Sequence, residues 1–277
     1  MVEEKSIGLE NLMSTRDTAF APGTPCWVDL TTSDVDASKA FYAEVLGWQF
    51  EETPPEYGGY VNATSDGHRV AGITPRMPGQ EGPDVWTTYI STADVEATAA
   101  AVTQAGGTVL MAPMAVGEIG SMALAADPAG AVFGVWQPGS HFGFAKYNEP
   151  GAVTWSEHHS KDFAATTPFY ESVFGWTMDK SGGDTDQFRY YQGQFEGHTV
   201  AGLMDSASFL PAEVPSHWAV YFAVTDPDEA AAKIKRLGGT VLRGPEETPW
   251  GRMTDATDNA GVPFKLHSGN LANPPSE

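Results

Sequence analysis

The stretch from Trp27 to Trp48, WVDLTTSDVDASKAFYAEVLGW, returns from Trp155 to Trp176 as WSEHHSKDFAATTPFYESVFGW. Trp27 and Trp155, Phe41 and Phe169, and Trp48 and Trp176 are each 128 residues apart, so the unit recurs without a gap. Self-similarity of this length means one structural unit built twice, and it fixes the architecture before any single residue is considered. The repeat runs on well past the unit. HRVAGI (68–73) is echoed by HTVAGL (198–203) at an offset of 130, and GGTVL (106–110) recurs unchanged at 132. DPAGAVFGVW (127–136) matches DNAGVPFKLH (258–267) at 131. The chain is therefore two copies of a domain, differing by small loop insertions.

Local chemistry assigns the elements. CWVDLT alternates bulky and polar residues as a half-buried strand does. Asp34 can cap a helix whose Ala37, Phe41 and Val45 share one face and which Gly47 stops. In the second copy Pro168 falls inside the equivalent helix. That helix is either kinked or starts late, with Thr167 as cap and Pro168 at the first helical position. Each domain is doubled again. Asp94 opens DVEATAAAVTQAGG 60 residues after Asp34, and the counterpart DPDEAAAKIKRLGG offers Asp226 as cap, Pro227 at the first position and Glu229 for a capping box. Short alternating runs broken by Gly and Pro follow each helix. The expected fold is α+β: four βαβββ modules forming two domains. The boundaries read as an N-terminal tail over 1–21, domains at 22–141 and 149–270, a linker at 142–148 and a C-terminal tail over 271–277.

Composition narrows the partners. With 15 Lys+Arg against 36 Asp+Glu the formal net charge is −21, a surface that repels phosphate backbones and anionic lipids. No run approaches the roughly 18 apolar residues of a membrane span, and the acidic N-terminal stretch lacks the blocks of a signal peptide and reads as a loosely docked tail. The one cysteine, Cys26, fits a reducing, cytoplasmic setting and reads as a small core residue. Nucleic acid and membrane are thus excluded as partners; a small organic molecule remains, bound by a monomer or homodimer.

The FYxxVLGW, GGTVL and DPxGxxF motifs at this spacing resemble the vicinal oxygen chelate superfamily of glyoxalases, bleomycin-resistance proteins and extradiol dioxygenases. The likeness covers residues 22–268 and is greatest to two-domain actinobacterial members of the hydroxylase-labelled, culture-filtrate-antigen type. It implies that each pair of modules curls its sheet into a cup, with the ligand or metal on the concave face. In metal-using members His and Glu come from the first and last strands of the modules. The resemblance puts those places at Trp27, Thr87, Gly72 and Gly134 in the first domain. In the second they fall at Trp155, Ala219, Gly202 and Lys265. None can serve, so no cofactor is expected, with a divalent metal at a non-standard site in the second domain as the alternative.

Alternation along strands gives the remaining candidates, because residues two apart share a face. Trp27 brings Asp29, with Tyr89 and Trp136 on neighbouring strands. Trp155 brings Glu157 and His159, with His217, Tyr221, Lys265 and His267. The tryptophans offer flat surfaces for an aromatic or polyketide-like molecule, or simply fill the cup. Glu157, His217 and Asp29 are the catalytic candidates. Trp27, Trp155, Tyr89, Tyr221, His159, Lys265, His267 and Trp136 are the ligand-binding ones. Three functions stay open: a binding or hydroxylase-type protein without the usual metal, a metal-dependent lyase or dioxygenase using Glu157, His159, His217 and His267, and a drug-sequestering protein without turnover. His158 and His159, adjacent on one strand, cannot both face one ion. The loops 74–86 and 204–218, with Met77 and Met204, are long enough to edge the cups.

Overall fold

The computed structural model describes residues 15–269 except Pro78, Gln80 and Asp186. The C-terminal tail and the first fourteen residues lie outside the described residues. The first domain runs β1 (Pro25–Thr32), α1 (Val35–Leu46), β2 (Gln49–Glu52), β3 (Val61–Ser65), β4 (His68–Pro75), β5 (Val85–Ser91), α2 (Val95–Gln104), β6 (Thr108–Val116), β7 (Gly120–Ala126) and β8 (Val132–Pro138). The second repeats the order with β9 (Val153–Ser160), α3 (Phe163–Phe174), β10 (Thr177–Asp179), β11 (Tyr190–Phe195), β12 (His198–Asp205), β13 (His217–Ala223), α4 (Pro227–Arg236), β14 (Thr240–Thr248), β15 (Gly251–Thr257) and β16 (Pro263–Ser268). The α+β reading of four βαβββ modules is what the chain forms.

Each domain is one open sheet of eight strands, ordered β2-β3-β4-β1-β5-β8-β7-β6 and β10-β11-β12-β9-β13-β16-β15-β14. Within a module the first and last strands pair in parallel, and the two modules join through the antiparallel β1–β5 and β9–β13 pairs. The central strands are covered on both faces, whereas the edge strands β6 and β14 alternate between exposed and half-buried residues.

Asp34, Asp94, Asp162 and Asp226 all accept backbone N–H bonds as N-caps, so the four helices start alike. The second domain's first helix does not start at Thr167. Asp162 caps it and Pro168 lies inside. Thr167 Oγ1 instead donates to the Phe163 carbonyl at 3.2 Å, within the turn before the proline. The described part of the N-terminal tail is docked rather than loose. Arg16 N–H donates to Ala145 O at 2.9 Å, Thr15 bridges Lys146, and Phe20 joins the core.

The two sheets meet through their helix-bearing faces. α1 packs beside α4, α2 beside α3, and β5 approaches β13 and β16. The contacts are two-fold related. Tyr42 O–H donates to Asp258 at 3.0 Å and Tyr170 O–H to Asp127 at 3.2 Å. Trp86 and Trp218 donate to those two tyrosine oxygens, both at 3.0 Å. Trp48 Nε1 donates to Gly151 O and Trp176 Nε1 to Gly23 O, both at 2.7 Å. The FY…GW and DPAG/DNAG motifs thus hold the domains together. The symmetry is broken where His158 Nε2 lies 2.6 Å from Asp127 Oδ2 and the first copy has Leu30, and where Arg236 pairs with Glu44 at 3.1 Å and the equivalent residues are Gln104 and Ser172. The cups open on the opposite faces of the sheets.

Candidate functional site

Cross-strand pairs share a face, so register defines what each cup contains. In the first cup Asp29 is level with Gly72 and Thr87, Gly72 with Asn62, and Trp27 with Tyr89, which is level with Gly134. In the second, Glu157 is level with Gly202 and Ala219, His159 with Met204 and His217, and Trp155 with Tyr221, which is level with Lys265. The strand reading therefore brings its candidates together, and His158, on the other face, is buried against Asp127.

The floors share one pattern. Trp27 Nε1 donates to Tyr60 O–H at 2.8 Å and Trp155 Nε1 to Tyr190 O–H at 3.2 Å. Tyr221 O–H donates to Glu157 Oε1 at 2.7 Å, and Tyr89 likewise bonds Asp29. The glycines make room for these rings. A Cβ on Gly72 or Gly202 would run into the Tyr60 or Tyr190 hydroxyl, and one on Gly134 into the Tyr89 ring. Tyr60 and Tyr190 were not among the sequence candidates. Their signal was available, since they stand 130 residues apart, the offset of the neighbouring HRVAGI repeat.

The two acids differ in electrostatics. Burial pushes the Asp29 carboxyl up to about 7, only partly offset by the Tyr89 hydroxyl. Burial would raise Glu157 as well, but His159, Lys265 and Tyr221 outweigh it and hold that carboxyl at about 2. His159 Nε2 lies 2.9 Å from Glu157 Oε1, off the axis of a hydrogen bond, and its Nδ1 lies 3.0 Å from Ser206 Oγ. Lys265 Nζ stands 4.0 Å from Glu157, 3.6 Å from Asp255 and 5.0 Å over the Tyr221 ring. The His217 ring stacks on His159 at 5.0 Å with planes 4° apart. Its Nδ1 lies 3.0 Å from the Pro215 carbonyl, which can only accept, so the proton belongs on Nδ1 and Nε2 keeps its lone pair. Burial lowers the His217 pKa to about 4, leaving the ring neutral at pH 7. His267 is tied down by the Trp250 carbonyl at 2.7 Å. Lys265, His217, Met204 and Met253 are half-buried and form the mouth of this cup, with Trp250 packed on Trp155 and Tyr221.

The first cup is roofed. His141 sits edge-on to Trp27 at 4.5 Å and to Trp136 at 5.5 Å, and Phe144 lies 5.6 Å from Trp27. Trp136 Nε1 donates to the His141 carbonyl at 2.9 Å. Phe144, in the segment read as the linker, and His141 just before it thus wall this cup, a tertiary role with no periodicity to reveal it. Met77 is exposed, whereas Met204 lies in the row of His159 and His217. Cys26 is buried, its thiol pushed up by burial, as expected of a core residue.

The residues do not fit a divalent-ion site of the superfamily's kind. The positions that the resemblance assigns to metal ligands hold Trp27, Gly72, Thr87 and Gly134, and Trp155, Gly202, Ala219 and Lys265. Among the described residues no group of three or more His, Cys, Asp or Glu side chains could hold a metal ion. Glu157, His159 and His217 are engaged with one another and with Ser206 and Pro215 rather than converging on a vacant point. Nor is any described helix long and apolar enough to cross a membrane.

A family model described as Glyoxalase/Bleomycin resistance protein/Dioxygenase superfamily matches residues 25–135 and 159–266. "Putative glyoxylase CFP32" of Mycobacterium tuberculosis is 39% identical over 256 residues, 89% of this chain and 95% of that protein. The anthracycline biosynthesis protein DnrV of Streptomyces peucetius is 38% identical, over 90% and 94% of the two chains. In fold the chain is similar to the Mn(II)-bound glyoxalase from Novosphingobium aromaticivorans, with TM-score 0.61 and 18% identity, over 92% of this chain and 86% of that one.

Proposed function

The chain belongs to the Glyoxalase/Bleomycin resistance protein/Dioxygenase superfamily, and from that premise we propose that its second cup binds a planar hydroxylated aromatic molecule, using side chains alone. One observation carries the reading: a donor–acceptor set of Glu157, His159, His217 and Lys265 at an apolar mouth of Trp250, Met204 and Met253. Apolar walls with a few convergent polar groups are the general form of a small-molecule site. In this account the ligand lies over the Met253–Trp250 wall, with Trp155 and Tyr221 behind it. His217 Nε2 accepts a ligand hydroxyl and would take its proton in any acid/base step, while Lys265 stabilises the oxygen that loses it. Glu157 keeps Lys265 and His159 in place. The first cup, with Asp29 beneath the linker roof, is the less accessible of the two. A fused aromatic polyketide is a suitable ligand class, in keeping with Streptomyces relatives named for anthracycline biosynthesis.

Calorimetric titration with a hydroxyanthraquinone tests this. One site per chain is expected, unchanged by exhaustive dialysis against a chelator. His217→Ala and Lys265→Met should each weaken binding about tenfold, as loss of one hydrogen bond to a charged or buried group does. Binding that vanishes on chelation and returns with Mn(II) would instead establish a metal-dependent site in this domain.

A further inference from the structure

A second cleft lies outside both cup floors, where the linker crosses the edge of the first domain. It has a volume of about 80 Å³ and is walled by Arg16, Arg69, Ser140 and His141, with the linker from Phe142 to Ala145. No carboxylate lines it, in a chain whose acids outnumber its bases by more than two to one. The backbone sets the two arginines on either side of the linker. Arg16 N–H donates to Ala145 O at 2.9 Å, and Ala145 N–H donates to Arg69 O at 2.8 Å.

The polar side chains of the lining are Arg16, Arg69, Ser140 and His141, set beside the rings of Phe142 and Phe144. Arg16 spends Nη2 on the Ala19 carbonyl at 3.1 Å and rests over the Phe20 ring at 4.5 Å, while its Nε is buried without a hydrogen-bond partner. Arg69 meets Glu51 only loosely, at 3.5 Å, with both side chains about half exposed. Gly143 N–H donates to His141 Nδ1 at 3.1 Å, so that nitrogen is an acceptor and the ring proton belongs on Nε2. Burial, reinforced by Arg69, lowers the His141 pKa to about 4 and keeps the ring neutral. Two arginines, a neutral histidine and a serine thus line one small space with Phe142 and Phe144. Guanidinium groups recognise oxyanions through paired charge-assisted hydrogen bonds.

We propose that this cleft is a binding site for a small oxyanion, a carboxylate or a phosphate, held by Arg16, Arg69 and His141. The volume admits a group of that size. An anion here would join the N-terminal segment, β4 and the linker that roofs the first cup, so its binding fastens that roof over Trp27.

The test uses the full chain near pH 7, with chloride making up a constant ionic strength. Thermal unfolding and calorimetric titration are run with sodium phosphate and with sodium acetate. Saturable stabilisation beyond chloride is expected, because a ligand of the native state raises stability with its concentration. A response to phosphate alone identifies a phosphate site, to acetate alone a carboxylate site, and to both a general oxyanion site. Arg69→Gln, at a half-exposed position that leaves the core intact, should weaken binding about tenfold or more. Arg236→Gln, a distant surface change, should leave it unaltered. No response beyond chloride, or the same response in Arg69→Gln as in the native chain, overturns the proposal.

Discussion

Asp29 and Glu157 occupy one position in two copies of one fold, yet respond to pH in opposite senses. Asp29 has only a tyrosine hydroxyl for company, so its folded-state pKa lies near 7, above the ordinary 3.8. The stability it contributes is fully present below about pH 3.8 and is lost as pH rises through 7. Asp29→Asn keeps a hydrogen-bond acceptor for Tyr89 and removes that loss. Denaturant unfolding at pH 8 should find the variant more stable, by at most about 4 kcal/mol for a shift of this size. At pH 4 the difference should nearly vanish. Glu157, held at about 2, contributes stability above its ordinary value that is lost as pH falls towards 2. At this scale the sequence was a good guide to side: alternation from each tryptophan named the acids and their cup-facing neighbours. It could not name partners. Tyr60 precedes its strand and His141 lies in a connection, so what each touches depends on how distant segments are brought together.

The elements were the most legible level, because the signals that start and stop them are local. Four aspartates at helix starts cap four helices. Asp226 accepts from both Asp228 N–H and Glu229 N–H at 2.9 and 3.0 Å. Asp226→Ala should lower stability by about 1 kcal/mol, the usual worth of such a cap, and amide exchange in the first turn of α4 should quicken while that of α2 stays unchanged. Pro168 shows where local reading stops. Taken alone a proline argues for a helix beginning at its own position, but the aspartate cap six residues earlier and the packing of Phe163 and Phe169 keep the whole segment helical. Tertiary burial outweighs one missing backbone hydrogen bond.

At the scale of the whole molecule, the letters that announce the repeat belong to the seam between the domains. Tyr42 reaches Asp258 and Tyr170 reaches Asp127, and each aspartate also accepts N–H bonds from its own turn. Tyr170→Phe would leave the buried Trp218 Nε1 without its acceptor and remove one of the bonds to Asp127, which keeps His158 and the Ala131 N–H, and should cost about 1–3 kcal/mol. Scanning calorimetry should still show one unfolding transition for the native chain, because α1 and α3 each pack against the opposite domain. Two resolved transitions would mean that the domains melt independently.

That crossed packing says something about ancestry. The tyrosine, tryptophan and aspartate contacts across the seam come in two-fold pairs, with His158 where the first copy has Leu30 and the Arg236–Glu44 pair as departures. A single half, before duplication, would have met a second copy of itself through the same tyrosine, tryptophan and aspartate contacts. Fusing the halves added no new interface; it freed the two cups to diverge. One gained a roof from the connecting segment, and the other a lysine and a pair of stacked imidazoles, a division of labour that identical subunits could not have made.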